Sequence, residues 1–391
     1  MLDIDKARLD TPSAGDRLFF NSAGSSLPPL PVVKIVEDYW LEESKVGGYA
    51  YAEEMKGEIE GFYTAVANLL NARSRNIAMA VSATDAYIRA LSAIPFQTGD
   101  VILTTDDDYV SNHIHFLSLQ KRFGVKIERG RTLENGDLDL EHFEAQITQH
   151  QPVVVAATHI PTNSGLVQDV VGLGAICRAY DRLYLVDACQ SAGQLPLDVA
   201  QIQCDFLSAT GRKFLRGPRA TGFLYVSDRA LDMGLEPLFP DLQGADWTEP
   251  DAYQIQPTAR RFELWEWQYA TMLGLREAVS YALNIGMENI WEYNHLLLTR
   301  LTDGLSHIKG VRQLDRGSHR ANIVTLQKIN RSQEETITFL KKNNVFFSVA
   351  ALNSAQIDFG KKGVNWAIRL SPHYFNTSHE IDRLLEIVES M

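Results

Sequence analysis

Between residues 76 and 226 the chain repeatedly swaps short apolar or β-branched runs for amphipathic helical stretches, and no other feature limits its fold so tightly. The runs are NIAMAVS, VILTT, VKIE, PVVVAAT at 152–158, LYLVDA at 183–188, DFLSAT at 205–210 and TGFLYV at 221–226. Between them lie helical patterns such as TDAYIRALSAI, the HIHFLSLQKRFG region and the stretch at 169–180. Strands that are apolar along their whole length must be covered on both faces, and a strand–helix–strand order supplies that cover. The expected fold is therefore α/β, a mostly parallel sheet wrapped in helices.

Near Tyr269 the texture changes. ATMLGLREAVSYALNIGMENIWEYNHLLLTRLTDGL reads as long amphipathic helices, NIVTLQ as a strand, and HEIDRLLEIVES as a closing helix. A second, smaller domain is expected over 269–391, and 391 residues leave room for two or three domains of roughly 100–200 residues each. The intervening stretch from Leu235 to Gln268 is rich in Pro, Asp, Gln and Trp with weak periodicity, and is read as an irregular functional loop.

Charge and cysteine content narrow the function. With 37 Lys and Arg against 49 Asp and Glu the formal charge is −12, which repels phosphate backbones and anionic membranes. RKFLRGPR at 212–219, the one dense basic run, is too short for a nucleic-acid face. Cys177, Cys189 and Cys204 form no CxxC pair, offer no structural metal site and leave one thiol over in any disulfide scheme. A reducing cytoplasmic setting is expected. MLDIDKARLD lacks the basic-then-apolar order of a signal peptide, and no run approaches about 18 apolar residues. Neither nucleic acid nor membrane is an expected partner.

The chemistry concentrates in residues 183–226. A buried strand ends on Asp187, Gln190 follows, and Lys213 lies 26 positions beyond Asp187 in TGRKFLRGP, where glycines and arginines form a loop suited to an anion. Each residue type has a task if the cofactor is pyridoxal phosphate. A lysine amine attaches the cofactor, and a carboxylate at a strand end keeps the pyridine nitrogen protonated, so that the ring can accept electrons.

VDACQSAG, TGRKFLRGPRATGFLYV, RFE at 261–263 and RLSPHYFNTSHEID at 369–382, in that order, resemble the class V aminotransferase family, which includes cysteine desulfurases, isopenicillin N epimerase-like proteins and C–S lyases. The likeness runs from NSAGSSLPP at 21–29 almost to the C-terminus. It implies pyridoxal-phosphate fold type I with a mostly parallel, seven-stranded type of sheet. The implied division is a large cofactor domain at 21–268, a small α+β domain at 269–391 and an N-terminal segment at 1–20 packing on the small domain. It also implies a homodimer with active sites at the subunit interface and a small-molecule amino-acid substrate. On this resemblance Lys213 carries the cofactor, Asp187 meets the pyridine nitrogen, and Gln190 bonds the ring hydroxyl. Thr210 and Arg212, together with Ala83 and Thr84 in SATDA, match phosphate-binding positions. Tyr109 stands where relatives place a histidine that stacks on the ring. Asn163, or alternatively Thr162, matches the residue presented to the ring oxygen. Arg369 matches the arginine that pairs with a substrate α-carboxylate, and Asn21, Ala23 and Gly24 match a substrate-side loop.

Two departures shape the expected activity. RFE continues into Leu264, Trp265 and Glu266 where the family commonly has Gly-Thr, which puts a cross-subunit phosphate contact in doubt. Glu266 is expected to point away or to meet Arg260 or Arg261. No cysteine follows Cys204, so FFSVAALNSAQ at 346–356 lacks the thiol that a persulfide-forming desulfurase carries on a C-terminal loop. KVGGYAYAE at 45–53, Tyr109 and RKFLRGPR resemble the lyase of ergothioneine biosynthesis, which implies β-elimination on a cysteine conjugate or its sulfoxide. An aminotransferase or an amino-acid epimerase is the alternative. Cys189 is read as a packing residue, Asp106–Asp108 as solvated turn residues, and Trp247, Tyr253, Trp265 and Trp267 as either pocket lining or core.

Overall fold

The computed structural model describes residues 2–391. Strand β1 (Leu18–Phe19) lies apart from the main sheet. That sheet contains β2 (Ile77–Ala80), β3 (Val101–Thr104), β4 (Lys126–Arg129), β5 (Val154–Thr158), β6 (Leu183–Asp187), β7 (Phe206–Thr210) and β8 (Gly222–Val226), in the spatial order β2-β8-β7-β6-β5-β3-β4. Every pairing is parallel except the two that β8 makes, with β2 and with β7. The exception has a simple cause: β7 and β8 are joined by the Gly/Pro-rich loop at 211–221, which contains no helix. A parallel return needs a long crossover, and the short loop turns the chain back antiparallel instead.

All residues of β5, β6, β7 and β8 are buried. Alternate side chains feed two separate cores. Val155, Ala157, Tyr184, Val186, Leu207 and Phe223 enter one; Val154, Ala156, Leu185, Phe206 and Leu224 enter the other. Each fully buried Val, Leu or Phe contributes about 1.5–3 kcal/mol, so the period of two locks the register. The strands also share a polar C-terminal end: Thr104 closes β3, Thr158 β5, Asp187 β6 and Thr210 β7. In open parallel sheets that edge is where ligands bind.

The segment from Leu235 to Gln268 is more regular than its composition implied. It holds a hairpin of β9 (Ala245–Glu249) and β10 (Ala252–Ile255), with Trp247 opposite Tyr253, and a short 3₁₀ helix at Ala259–Phe262. Neither face of the hairpin is buried, so it carries no apolar alternation to read in the sequence. Beyond the long helices Tyr269–Ile285 and Met287–His307 come β11 (Val311–Gln313), β12 (Val324–Lys328), β13 (Val345–Phe346), β14 (Ser348–Ala351) and β15 (Trp366–Leu370). Four of them form an antiparallel sheet in the order β11-β12-β15-β14, while β13 pairs in parallel with β1. Leu297, Leu301 and Leu305 of one helix and Ile381 and Leu384 of the closing helix Ser378–Glu389 pack on Ile368 and Leu370 of β15. Thr377 and Glu380 form a capping box that starts this closing helix. Among the described residues no helix is long and apolar enough to cross a membrane.

Candidate active site

Asp187 sits at the polar end of β6, 3% exposed. Its Oδ1 accepts the Cys189 N–H at 2.9 Å and its Oδ2 accepts Asn112 Nδ2 at 3.1 Å. Burial pushes its pKa up to about 6, partly countered by the Cys189 hydrogen bond and by the charge of Lys213. A carboxylate held out of water with spare lone pairs is a strong acceptor for a protonated ring nitrogen.

Lys213 lies in the loop that follows β7. Backbone bonds fix that loop: Gly211 N–H to Thr221 O at 2.9 Å, Gly217 N–H to Gly211 O at 2.8 Å and Arg216 N–H to Lys213 O at 2.9 Å. From the other side Gly193, at φ +87°, approaches so closely that an added Cβ would lie 2.5 Å from Leu215 N. A side chain there would collide with the backbone that carries the lysine. Arg216 is fully buried, with its guanidinium carbon 4.7 Å from the Phe375 ring centre and its Nε donating to Leu27 O at 2.8 Å. Lys213 itself is 6% exposed, and its Nζ lies 5.8 Å from the centre of the Tyr109 ring. Cys189 is the other neighbour of this amine. The residue as a whole is half-buried, and burial of the thiol raises its pKa while Lys213 opposes the rise. The reading of Cys189 as plain packing is therefore corrected: it borders the lysine.

A second group of predicted residues meets through Thr162. Gln190 Nε2 donates to Thr162 Oγ1 at 2.8 Å and to Ala23 O at 3.1 Å. Arg369 Nη1, from β15, donates to both Thr162 O and Thr162 Oγ1 at 2.9 Å. Arg369 is 8% exposed, and its pKa is lowered to about 10 by burial and then by the nearby Arg212. It still carries its charge at neutral pH. Arg212 Nη1 donates to Gly24 O, and the Asn21 side chain accepts from Ser348 Oγ at 2.5 Å. An added Cβ on Gly24 would lie 2.5 Å from Asn21 Oδ1, which is why this turn needs glycine. Two cations thus flank a loop whose own polar groups are already engaged.

The structure decides between the alternatives left open and places the other predicted residues. Asn163 Nδ2 donates to Ser354 O at 2.8 Å, so Thr162 rather than Asn163 is joined to Gln190 and Arg369. Thr84 lies inside helix Ala83–Ser92, and Ser82 is its cap, accepting from Asp85 N at 3.1 Å. The start of that helix sits against β7 and β8: a Cβ on Gly222 would meet Ser82 at 2.8 Å, and Gly222 pairs with Thr210. Thr210 Oγ1 donates to Thr221 O at 3.1 Å. Glu266 is exposed and meets neither arginine, because Arg260 pairs with Glu60 and Arg261 bonds the carbonyls of Gln256, Leu231 and Leu235. Trp265 and Trp267 line a cavity of about 510 Å³ with Tyr49, Tyr63 and Tyr269, away from Lys213, while Trp247 is 80% exposed on the hairpin.

The Asp106–Asp108 run is also not a solvated turn. Asp106 pairs with Lys361 at 2.6 Å, and Asp107 is pushed up to about 8 by burial and by the charge of Asp358. Asp108 is 7% exposed and holds four donors: Tyr109 N at 2.7 Å, Asn112 Nδ2 at 2.9 Å, Thr104 Oγ1 at 2.8 Å and Thr158 Oγ1. Asp108, Asn112 and Thr158 are residues that sequence reasoning passed over. The one available signal was that Thr104 and Thr158 end strands of a parallel sheet on the ligand edge.

The donor set suits pyridoxal phosphate. Gln190 Oε1, Arg369 Nε and Ser208 Oγ are buried without a protein partner, although burying a polar atom unpaired is costly. They lie beside a shielded lysine, an aromatic ring and a strand-end carboxylate. Lys213, Asp187, Gln190 and Tyr109 would hold the cofactor's aldehyde, ring nitrogen, ring hydroxyl and ring face.

This α/β architecture with a strand-end carboxylate and a loop lysine defines a pyridoxal-phosphate enzyme of fold type I. The aminotransferase class-V family profile matches residues 18–384, and the chain belongs to that family, whose cofactor is pyridoxal phosphate. A probable cysteine desulfurase of Methanothermobacter thermautotrophicus is 28% identical over 397 residues, covering 99% of this chain and 98% of that protein. The apo structure of a cysteine desulfurase from Thermococcus onnurineus superposes with a TM-score of 0.90 at 25% identity, covering 100% of this chain and 98% of that one. At 21% identity and a TM-score of 0.87, covering 98% of this chain and 99% of that one, a C-DES variant with glycine covalently linked to its PLP cofactor shares the fold. These findings correct the expected activity. The curated relatives are consistently named cysteine desulfurases, as are two of the solved structures, against a β-eliminating C–S lyase acting on cysteine conjugates, and the likeness to the ergothioneine lyase is not shown by them.

Proposed function

We propose that the chain is a desulfurase-type enzyme that takes cysteine at this site, leaves alanine and passes the sulfur to a thiol. The observation that carries the reading is the pairing of Lys213, buried beside Tyr109 and Cys189, with the cation pair Arg369 and Arg212 across the same cleft. Bound pyridoxal phosphate supplies an electron sink for the pair left at Cα when its proton departs. Arg369 binds the substrate carboxylate through its free Nε edge while Thr162 holds the other edge. Lys213 moves the proton at Cα, Asp187 holds the proton at the ring nitrogen, and Tyr109 covers the ring.

The turn at Leu352–Ser354, to which Asn163 is tied, carries asparagine and serine, and no cysteine follows Cys204 in the sequence. The accepting thiol therefore comes from outside this loop. In the balanced step the C–S bond of cysteine breaks, an S–S bond forms with the acceptor, and the acceptor's proton ends on the methyl group of alanine. The test is incubation with L-cysteine and a small dithiol, with alanine, sulfide, pyruvate and ammonia measured together. Alanine and sulfide in equal amounts support the reading, and pyruvate with ammonia in place of alanine overturns it.

The assembly expected here is a homodimer with its sites near the interface. The exposed side chains of Leu238, Phe239, Leu242, Trp247 and Tyr49 support it, because exposed apolar surface calls for a partner. The division into a large domain at 21–268, a small domain at 269–391 and an N-terminal segment at 1–20 is supported by the two separate sheets and by the β1–β13 pairing. Three unpaired thiols support a reducing, cytoplasmic setting.

A further inference from the structure

Behind Asp187 lies a second carboxylate that the reaction described above does not use. Asp108 ends the loop after β3, immediately before helix Val110–Phe123, and that helix carries Asn112 in its first turn at 1% exposure. The Asn112 amide has two N–H groups. One goes to Asp108 Oδ1 at 2.9 Å and the other to Asp187 Oδ2 at 3.1 Å, so the two carboxylates are joined through one side chain. Because both partners are acceptors, only this orientation of the amide satisfies them. With Tyr109 N, Thr104 and Thr158 also donating, Asp108 accepts from four donors in all.

We propose that Asp108 is a positioning residue that acts through Asn112 and through its own field on Asp187, holding the proton on the ring nitrogen of bound pyridoxal phosphate. Two buried carboxylates this close oppose joint ionisation unless a positive partner sits between them or beside them. A protonated pyridine nitrogen is such a partner, and Asp187 is the carboxylate with oxygen lone pairs left to receive it. Four titratable groups face Asp108 from its own helix and from the elements packed on it. His113 and His115 on the same helix are kept neutral by burial, and the buried phenols of Tyr87 and Tyr184, which also face it, are held well above their ordinary range. Asp107 adjoins it in the chain and is itself pushed up by burial, Arg129 and Asp106 act on His113, and the cation whose field reaches Asp187 is Lys213. The inference rests on pyridoxal phosphate being the cofactor and is independent of which amino acid is the substrate.

The two members of the relay act with opposite sign, which gives a test that mere packing damage cannot imitate. Asp108→Asn removes the anion and reduces the hold on the ring proton. Asn112→Leu removes a donor that stabilises ionised Asp187, and so strengthens that hold. The measurement is the chemical shift of an isotope-labelled ring nitrogen in each protein loaded with labelled pyridoxal phosphate, followed over pH, with cofactor dissociation measured alongside. In Asp108→Asn the signal should move toward neutral pyridine, with the ring proton lost about one pH unit earlier. In Asn112→Leu it should move toward pyridinium, with the proton lost later. Movement of both variants in the same direction, or no movement in either, overturns the proposal. If Asp108→Asn does not fold, Asn112→Leu decides alone, and a shift toward neutral pyridine there is a refutation.

Discussion

Replacing Arg369 by lysine separates charge from geometry at the substrate carboxylate. In the native site the guanidinium is clamped on one edge by Thr162, through Nη1 contacts of 2.9 Å to both its carbonyl and its hydroxyl, and Nε is left free on the other edge. A lysine keeps the positive charge but lacks the planar fork, so it cannot bond Thr162 and a carboxylate together in fixed geometry. Losing one charge-assisted hydrogen bond costs about 1.5–3 kcal/mol. At about 1.4 kcal/mol per factor of ten, kcat/KM for the amino acid should fall by roughly 10- to 150-fold. The loss should sit mainly in KM, because the interaction exists in the ground state as well as the transition state. Burial and Arg212 lower Arg369 to about 10 and would also lower a lysine in its place from its ordinary value of about 10.4, so the variant should lose substrate binding toward alkaline pH at values where the native enzyme keeps it. Steady-state kinetics on cysteine, paired with cofactor content and visible spectra of the purified variant, measure all of this. Unchanged KM with a lost cofactor band would show that Arg369 serves the cofactor and not the substrate, and the carboxylate assignment would fall.

Three further outcomes are expected. Lys213→Ala should abolish turnover and the visible band of the lysine-bound cofactor while leaving the thermal transition in place; a variant that keeps both refutes the assignment of Lys213. Glu263, buried against Tyr63 Oη at 2.9 Å and Met79 N at 2.7 Å, has its pKa pushed up by burial from 4.5 to about 7. The folded state therefore binds this proton more tightly than the unfolded chain, and stability falls as pH rises from about 4.5 to about 7 and then levels, by about 3 kcal/mol in total. Glu263→Gln should flatten that slope in denaturant titrations, and an unchanged slope between pH 5 and pH 8 would assign it to other groups. Gly193→Ala, with φ +87° and the Leu215 backbone 2.5 Å from the new Cβ, should destabilise by about 2–4 kcal/mol and lower cofactor occupancy together, which calorimetry and cofactor content would check.

The large sheet was legible because its strands, apart from the edge strand β4, are buried on both faces and leave unbroken apolar runs, and the lysine loop because glycine, arginine and lysine crowd together directly after one of them. The hairpin at Ala245–Ile255 was not legible, because exposed strands such as these have no buried face to impose a period. The choice between Thr162 and Asn163 was likewise out of reach. Both are small polar residues in one turn, and only the approach of Arg369 from β15 and of Ser354 from the far side decides which faces the cleft.

Asp108 shows why a run of like charges is a poor guide by itself. Three adjacent aspartates have the composition of a solvated turn, and on an isolated loop they would be one. Here the chain leaves β3 at the ligand edge of the sheet, so successive residues of the run face different surroundings: Asp106 reaches Lys361, Asp107 lies near Asp358, and Asp108 turns inward beneath the start of a helix. Its four donors come from Thr104, Tyr109, Asn112 and Thr158, the last from a strand 50 residues away in sequence. Thr104, Tyr109 and Asn112 are near neighbours in the chain, whereas the Thr158 bond is created by the parallel pairing of β3 with β5 and leaves no pattern in the sequence. Burying a carboxylate in this way is favourable only when its partners are supplied in full, and the sheet supplies them at the same edge where it presents Asp187. The second carboxylate is thus tied to the topology that builds the site. Removing Asp108's charge should disturb the first carboxylate before it disturbs the fold.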